Sequence, residues 1–302
     1  MTYVTTAHAA VLAATEVVPA DWRDLAVILR RYGGPEALLS TKSVGRGHDA
    51  DLLEYIRRAI DPARVIHWQH QLDNLASGMP DVRFVTVDSK DYPTNLKTAY
   101  GCPPFLFVRG NLHEDEEKAL AIVGSRSATA SGLAVAHNVA EAAVQSGITV
   151  ISGLARGIDA AGHRGAIDAG GLTIAAIAAG IDHPLNRESD LAVAELINTS
   201  GAIVSRFRPG SPPVRSAYLQ RNGVIAGLSL VSLIVEADEK SGTRNEAEHA
   251  LHQGRKVLFW KPHFDHRSWI NLYSCEPLVK LVETEEDVVQ EVLAAAERSH
   301  HE

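Results

Sequence analysis

Apolar residues follow two different patterns along the chain. In the first part they recur at helical spacing, as in Trp22, Leu25, Leu29 and Tyr32. A glycine-glycine-proline sequence ends that run at 33–35. From Ala119 onward, short β-branched runs alternate with amphipathic segments. The pattern predicts a small helical domain over residues 1–75 and an α/β domain over 119–302, which includes an amphipathic C-terminal helix near 284–297.

Six runs in the second part are predicted to be strands, over residues 120–123, 148–151, 172–178, 202–205, 230–235 and 256–260. Helices are predicted between them, near residues 131–146, 157–169, 188–199, 216–228 and 243–253. Repeated strand–helix alternation predicts right-handed βαβ units and a doubly wound, mostly parallel Rossmann-like sheet. Ligands of such sheets bind beyond the carboxyl ends of the strands, so the loops there are the candidate site.

The segment 76–118 is predicted to connect the two domains. It contains one short strand-like run, at 83–87, a turn at Tyr92-Pro93, and the sequence Cys102-Pro103-Pro104 that leads into residues 105–108.

Composition narrows the classes of function. The 302 residues carry a formal net charge of −8, which argues against a broad basic surface, so any contact with nucleic acid should be focal. The two cysteines are far apart, and the 14 histidines lack metal-ligand spacing, so we expect neither a disulfide framework nor a metal site. With no signal peptide and no apolar run long enough for a bilayer, we expect a cytoplasmic protein that does not contact membranes.

Two glycine-containing loops are candidate anion sites. Gly124, Ser125 and Arg126 follow the first strand, where backbone N–H groups, a hydroxyl and a guanidinium suit a phosphate, although a tight turn alone would explain them equally well. The loop after the second strand contributes Ser152, Gly153, Arg156 and Gly157 at the start of the next helix. No GxGxxG fingerprint occurs, so a dinucleotide cofactor is not expected, and no other cofactor is indicated.

Titratable residues of the second loop have open roles. Asp159 suits either stabilisation of the helix dipole or a ligand contact, and His163 favours a packed or capping role over catalysis. The following loop, 180–186, is predicted mainly to be a turn.

A basic and aromatic face precedes the fifth strand. Arg215, Tyr218 and Arg221 recur every three residues and therefore share one side of the predicted helix. Such a face suits single-stranded nucleic acid, whose phosphates meet the charges and whose bases stack on the ring, but a surface helix with a half-buried tyrosine is the alternative. After the fifth strand, Ser241, Gly242 and Thr243 open a helix that has Glu246 in its first turn.

These loops together resemble the DprA/Smf family of DNA-processing proteins. The similar stretches, in family order, are AIVGSR (121–126), SGLARGIDAAGH (152–163), GIDHPLN (180–186), RNGVIAGLS (221–229) and SGT (241–243). DYPTNLK (91–97) and PPFLFVRGNL (103–112) look like the family's lead-in, and the resemblance covers roughly residues 20–262. It implies a non-catalytic protein that binds single-stranded DNA, forms a homodimer and helps to load the RecA recombinase, notably in transformation.

Carried over by position, the resemblance implies that Arg126, Arg215, Tyr218 and Arg221 line a DNA pocket, with Asn222 beside them. Three positions depart from the family pattern: Gly223 replaces an arginine, Arg206 replaces an acidic residue, and Glu246 stands where a threonine is usual. The C-terminal winged helix that many members carry is also missing from this sequence.

Glu246 supports an alternative function. Gly242-Thr243-x-x-Glu246 looks like half of the motif of the LOG-type phosphoribohydrolases, which cleave the N-glycosidic bond of nucleotides, and Arg221 matches an arginine of those enzymes. A carboxylate there would stabilise an oxocarbenium-like centre while the arginine holds the phosphate. Lys240-Ser241 replaces the double glycine of that motif. A nucleotide hydrolase, with Arg221 and Glu246 as catalytic residues, or a nucleotide sensor therefore stays open beside the DNA-binding prediction.

Overall fold

The structure is a computed structural model that describes residues 5–18, 22–112, 117–184, 201–237, 242–264, 268–273 and 275–299. The predicted helix near 188–199 and the predicted site residue Ser241 lie outside these ranges.

Four helices and one 3₁₀ turn form the N-terminal helical module: α1 (Thr6–Ala14), α2 (Arg23–Tyr32), the turn Pro35–Leu38, α3 (His48–Ala59) and α4 (Pro62–Gly78). The sequence explains their ends. Helix α2 stops at Gly33, whose φ of 84° is left-handed, and α4 starts where the Asp61 carboxylate accepts from the Ala63 backbone N–H at 2.8 Å. The predicted helical character of this part is confirmed.

A nine-stranded sheet forms the centre of the molecule. Its strands are β1 (Val82–Thr86), β2 (Phe105–Gly110), β3 (Ala119–Val123), β4 (Thr149–Ser152), β5 (Thr173–Ala176), β6 (Gly201–Ser205), β7 (Val231–Ile234), β8 (Lys256–Trp260) and β9 (Val279–Val282). The order across the sheet is β1-β2-β6-β5-β4-β3-β7-β8-β9. Strands β3 to β9 are parallel to their neighbours among themselves, whereas β1 pairs with β2, and β2 with β6, in antiparallel register.

Helices cover both faces of this sheet. They are α5 (Thr94–Thr98), α6 (Ala130–Gln145), α7 (Ile158–Asp168), α8 (Arg215–Leu228), α9 (Thr243–His252) and α10 (Glu285–Ser299). Strand β3 shows the layering. Ala121 packs in the same core cluster as α8, α9 and the helical module, while Leu120 and Ile122 pack with α6, α7 and α10. The predicted doubly wound, Rossmann-like architecture is confirmed.

The structure adds three strands to the six predicted in the α/β part. The strand-like run of the predicted connector is β1, and the stretch after Cys102-Pro103-Pro104 forms β2, which was not predicted; both extend the same sheet. Strand β9 was not predicted, because it is only four residues long and Lys280 interrupts its apolar run.

The helical module packs directly on the sheet. Trp22 stacks on Phe105 of β2 with ring centroids 5.6 Å apart. The guanidinium of Arg206, just after β6, lies 5.5 Å from the Trp22 ring centroid, and that of Arg208 lies 5.5 Å from the ring of Trp68 on α4. Arg206, which departs from the family pattern, is therefore part of the contact between module and sheet.

Among the described residues, no helix combines the length and apolar character that crossing a bilayer requires. Within the same ranges, no group of three or more His, Cys, Asp or Glu side chains could hold a metal ion.

Candidate functional site

A cleft of about 950 Å³ opens at the carboxyl ends of β3, β4 and β7. The strand order reverses at this point, because β4 to β6 lie on one side of β3 and β7 to β9 lie on the other. Such a switch point is where ligands of doubly wound sheets bind. The walls are the loop after β3, the start of α7, one face of α8 and the first turns of α9.

Backbone contacts fix the loop after β3. The Ser125 N–H donates to the Glu236 carbonyl beyond β7 at 2.7 Å, and the Ser125 carbonyl accepts from the Ile158 N–H at 3.2 Å. A Cβ on Gly124 would lie 2.5 Å from Ile158 and 2.8 Å from the Glu236 carbonyl oxygen, so only glycine allows this approach. Gly157 has a φ of 81°, and a Cβ there would lie 2.2 Å from the Ser125 carbonyl oxygen. Three loops are thus held together at the mouth of the cleft.

The basic and aromatic face of α8 lines the cleft as predicted from its spacing. The guanidinium of Arg126 lies 5.0 Å from the ring centroid of Tyr218, which is a cation–π distance. Arg126 and Arg215 are exposed, and Tyr218 is half-buried. This rim can therefore offer positive charge and an aromatic surface to one ligand.

A buried ion pair lies deeper in the cleft. Arg221 Nη1 is 3.8 Å from Asp159 Oδ2, and the two side chains are only 6% and 7% exposed. Gly153 makes room for the pair, because a Cβ there would lie 1.3 Å from Arg221 Nη1. Burial raises the pKa of Asp159 and the Arg221 charge opposes that shift, while burial lowers the pKa of Arg221 against the attraction of Asp159.

Glu246 lies beside this pair and has an unusual environment. The residue is 1% exposed, and neither carboxyl oxygen has a hydrogen-bond partner within the part of the chain that the structure describes. Burial raises the pKa of Glu246 well above its ordinary value, with the Arg221 charge opposing and the Asp159 charge adding to the shift. A carboxyl with a raised pKa favours its protonated form, in which it has one donor and one acceptor.

Asn222 connects the two helices that enclose the cleft. Its Nδ2 donates to the Gly242 carbonyl at 3.2 Å and to Asn245 Oδ1 at 3.3 Å. Gly242 and Thr243 line the cleft at the start of α9, the position expected for an anion-binding turn.

The structure brings together most of the predicted site residues but not all of them. The cleft is lined by Gly124, Ser125, Arg126, Arg215, Tyr218, Arg221, Asn222, Gly242, Thr243 and Glu246. Of the loop after β4, Gly153 and Gly157 support the site from behind, and the buried Ser152 hydroxyl donates to the Ile122 carbonyl at 2.6 Å. Arg156 is exposed and does not line the cleft. His163 is buried, with Nδ1 2.7 Å from Thr173 Oγ1, which fits the predicted packed role.

Several lining residues were not predicted. Leu219 and Ile225 share the cleft-facing side of α8 with the predicted residues, and Arg244 and Glu248 form an i,i+4 ion pair of 3.2 Å on α9. Leu219 is four residues after Arg215, and Ile225 four after Arg221, so helical spacing carried a signal for both.

Known proteins and one family model match a large part of this chain. The model of the family described as DNA recombination-mediator protein A matches residues 83–292. Protein Smf of Escherichia coli is 39% identical over 181 residues, which cover 59% of this chain and 48% of that protein. The chain thus spans about half the length of this relative.

Two solved structures share the fold. The X-ray structure of DNA processing protein A (DprA) from Streptococcus pneumoniae has a TM-score of 0.64 and 28% identity, covering 80% of this chain and 84% of that one. DNA processing protein A from Helicobacter pylori, described for its single-stranded DNA binding mode, has a TM-score of 0.60 and 20% identity, covering 70% and 96% of the two chains.

Proposed function

The chain belongs to the DprA/Smf family of DNA-processing proteins, and from this premise we propose that its cleft binds single-stranded DNA. The observation that carries the proposal is the Arg126 guanidinium stacked 5.0 Å from the Tyr218 ring centroid at the rim of the cleft. A single strand needs cations for its phosphates and flat surfaces for its unstacked bases, and this pair supplies both.

The distribution of charge supports focal contact. The chain carries a formal net charge of −8, yet two exposed arginines, Arg126 and Arg215, stand at one rim. The deeper Arg221 is held by Asp159 and has little free charge to offer. We therefore expect binding to depend on few phosphates and to weaken as salt rises. DNA processing protein A from Helicobacter pylori, described for its single-stranded DNA binding mode, has the same fold.

Titration of a labelled oligonucleotide against salt tests this function. Each lost phosphate contact should reduce the slope of log K against log salt by about 0.7 for a single strand. Arg126→Ala should lower affinity roughly tenfold, because it removes a phosphate partner and the cation on Tyr218. Arg58→Ala is the matched control, since Arg58 is an exposed arginine of α3 far from the cleft lining. Absence of binding, or equal losses in both variants, would refute the proposal.

We further propose, from family membership, that the protein forms a homodimer and assists RecA loading in transformation or recombination. Sedimentation of the full chain should give a dimer. Addition of the protein should speed RecA assembly on single strands that are coated by a single-strand-binding protein. Arg126→Ala should abolish this effect without changing the oligomeric state.

Glu246 favours one second candidate, a nucleotide hydrolase or nucleotide sensor. The residue shares the cleft with Arg221, as an N-glycosidase would require. Its raised pKa weakens the catalytic version, because a protonated carboxyl has no charge with which to stabilise an oxocarbenium-like centre. Incubation with nucleoside monophosphates tests it: a hydrolase releases free base, and Glu246→Ala abolishes the release.

A further inference from the structure

The carboxyl of Glu246 is a buried polar group at the wall of a ligand-sized cleft. Neither of its oxygens has a hydrogen-bond partner among the described residues, although Arg221 and Asp159 are close enough to influence its ionisation. An unsatisfied buried polar group destabilises a fold, so a protein that keeps one usually satisfies it with water or a ligand. Because Glu246 lies on the cleft lining, a ligand in the cleft could supply the missing partner.

From this arrangement, and resting on the proposed single-stranded DNA function, we infer that Glu246 hydrogen-bonds the edge of one unpaired nucleobase in the cleft. The neutral carboxyl would donate through its O–H and accept through its carbonyl oxygen. Every nucleobase has an edge on which a donor and an acceptor are adjacent, so the carboxyl can pair with any of them. In a duplex, the Watson–Crick edges are occupied.

Charge balance in the cleft agrees with this role. Arg221 and Asp159 already neutralise one another at 3.8 Å, so an ionised Glu246 would add an uncompensated buried charge. Burial raises the pKa of Glu246 accordingly, which favours the neutral form that both donates and accepts. An ionised carboxylate would instead favour the two adjacent donors of guanine.

The surroundings suit a base whose edge faces Glu246. The volume of about 950 Å³ accommodates a nucleotide. The Arg126 guanidinium and the half-buried Tyr218 ring below it belong to the same lining, and such planar groups can stack on the face of a base. One site would thus combine cations for the phosphate, an aromatic surface for the base and a carboxyl for the base edge.

The test separates hydrogen bonding from stacking. The full-length protein is titrated with an oligothymidylate and with the same backbone carrying 2,4-difluorotoluene, an apolar thymine shape, at every position. The wild-type protein should bind oligothymidylate about 5- to 150-fold more tightly, the range of one two-point base contact. Glu246→Leu should reduce this ratio to near one, whereas Glu246→Gln, which keeps a donor and an acceptor, should retain it.

A second variant and the wild-type affinities complete the test. If Glu246→Leu does not fold, Glu246→Thr introduces the residue usual in the family and should also lower the ratio, because its hydroxyl is too short to reach the base. Equal wild-type affinity for both oligonucleotides overturns the base contact and leaves the DNA function standing. No binding of either overturns both. Tighter binding of thymidine monophosphate than of the oligonucleotide, with the same loss in Glu246→Leu, supports the base contact but assigns the site to free nucleotides.

Discussion

Gly153→Ala offers a sharp test of the buried ion pair, because the new methyl group must displace Arg221. The added Cβ would lie 1.3 Å from Arg221 Nη1 and 2.7 Å from Asp159 Oδ2. Ordinary contact needs about 3.5 Å, so the guanidinium must retreat by about 2 Å. Gly153 does not have a positive φ, so the effect is steric and not a backbone strain.

The structure sets the size of the effect. Overpacking a tight site costs about 1–3 kcal/mol, and losing one partner of a buried ion pair costs about 3–5 kcal/mol. We expect Gly153→Ala to lower the free energy of unfolding by about 3 kcal/mol, between these limits. This is a large part of the 5–15 kcal/mol that is typical of a folded protein. Affinity for oligonucleotides should fall as well, because Arg221 and Tyr218 occupy the same face of α8.

Urea unfolding followed by circular dichroism measures the first quantity. Gly78→Ala is the matched control, since a Cβ there meets nothing within 4 Å and the residue ends α4 without a left-handed φ. It should be neutral or slightly stabilising, by up to about 1 kcal/mol.

A double-mutant cycle gives the refuting result. If the methyl group acts through Arg221, Gly153→Ala should cost much less in an Arg221→Ala background, because the clashing atoms are gone. Additive losses would show that the guanidinium is not what the methyl group displaces.

Three further predictions concern other supports of the cleft. Gly157→Ala should weaken oligonucleotide binding far more than Gly147→Ala, because both have left-handed φ values but only Gly157 faces a carbonyl oxygen, at 2.2 Å; equal effects on affinity would contradict this. Burial lowers the pKa of His163 from 6.5 to about 3, so below pH 6.5 the unfolded chain binds a proton that the folded protein does not bind. The free energy of unfolding therefore decreases as the pH is lowered below 6.5. When the pH is lowered from 7 to 4.5, the free energy of unfolding measured with urea should therefore fall by about 2–3 kcal/mol less in His163→Gln than in the wild type. Parallel pH profiles of the two proteins would contradict a neutral buried ring. Ser152→Ala should cost about 1–2 kcal/mol of unfolding free energy through its lost 2.6 Å bond to the Ile122 carbonyl, and an unchanged urea midpoint would argue against that bond.

Sequence periodicity was sufficient for the main architecture. The strands of the α/β part are short and buried on both sides, so β-branched runs identify them, and β8 has the predicted bounds Lys256–Trp260. Strand β9 was not predicted because its four residues are interrupted by Lys280 and so form no continuous β-branched run. The spacing of Arg215, Tyr218 and Arg221 gave the cleft-facing side of α8 correctly, since residues three apart share a helix face.

Long-range pairing could not be predicted in the same way. Asp159 left a choice between a helix-dipole role and a ligand contact, and only its approach to Arg221 shows that it balances a buried charge. Glu246 posed a similar choice, because a first-turn carboxylate is usually solvated and sequence does not reveal burial. Arg156 illustrates the opposite limit. It belongs to the most specific motif of the chain, yet it is exposed and does not line the cleft, and its DNA contact stays a prediction.

The contact between the helical module and the sheet has a practical consequence for ligand discovery. Trp22 and Trp68 lie buried there, against arginines that follow β6. Their intrinsic fluorescence should therefore change when the two parts separate during unfolding. Any compound that binds only the folded cleft raises the unfolding midpoint by mass action, wherever the reporter sits. Melting curves of the unlabelled protein, followed by tryptophan fluorescence, can accordingly rank oligonucleotides and mononucleotides by how far each raises the unfolding midpoint.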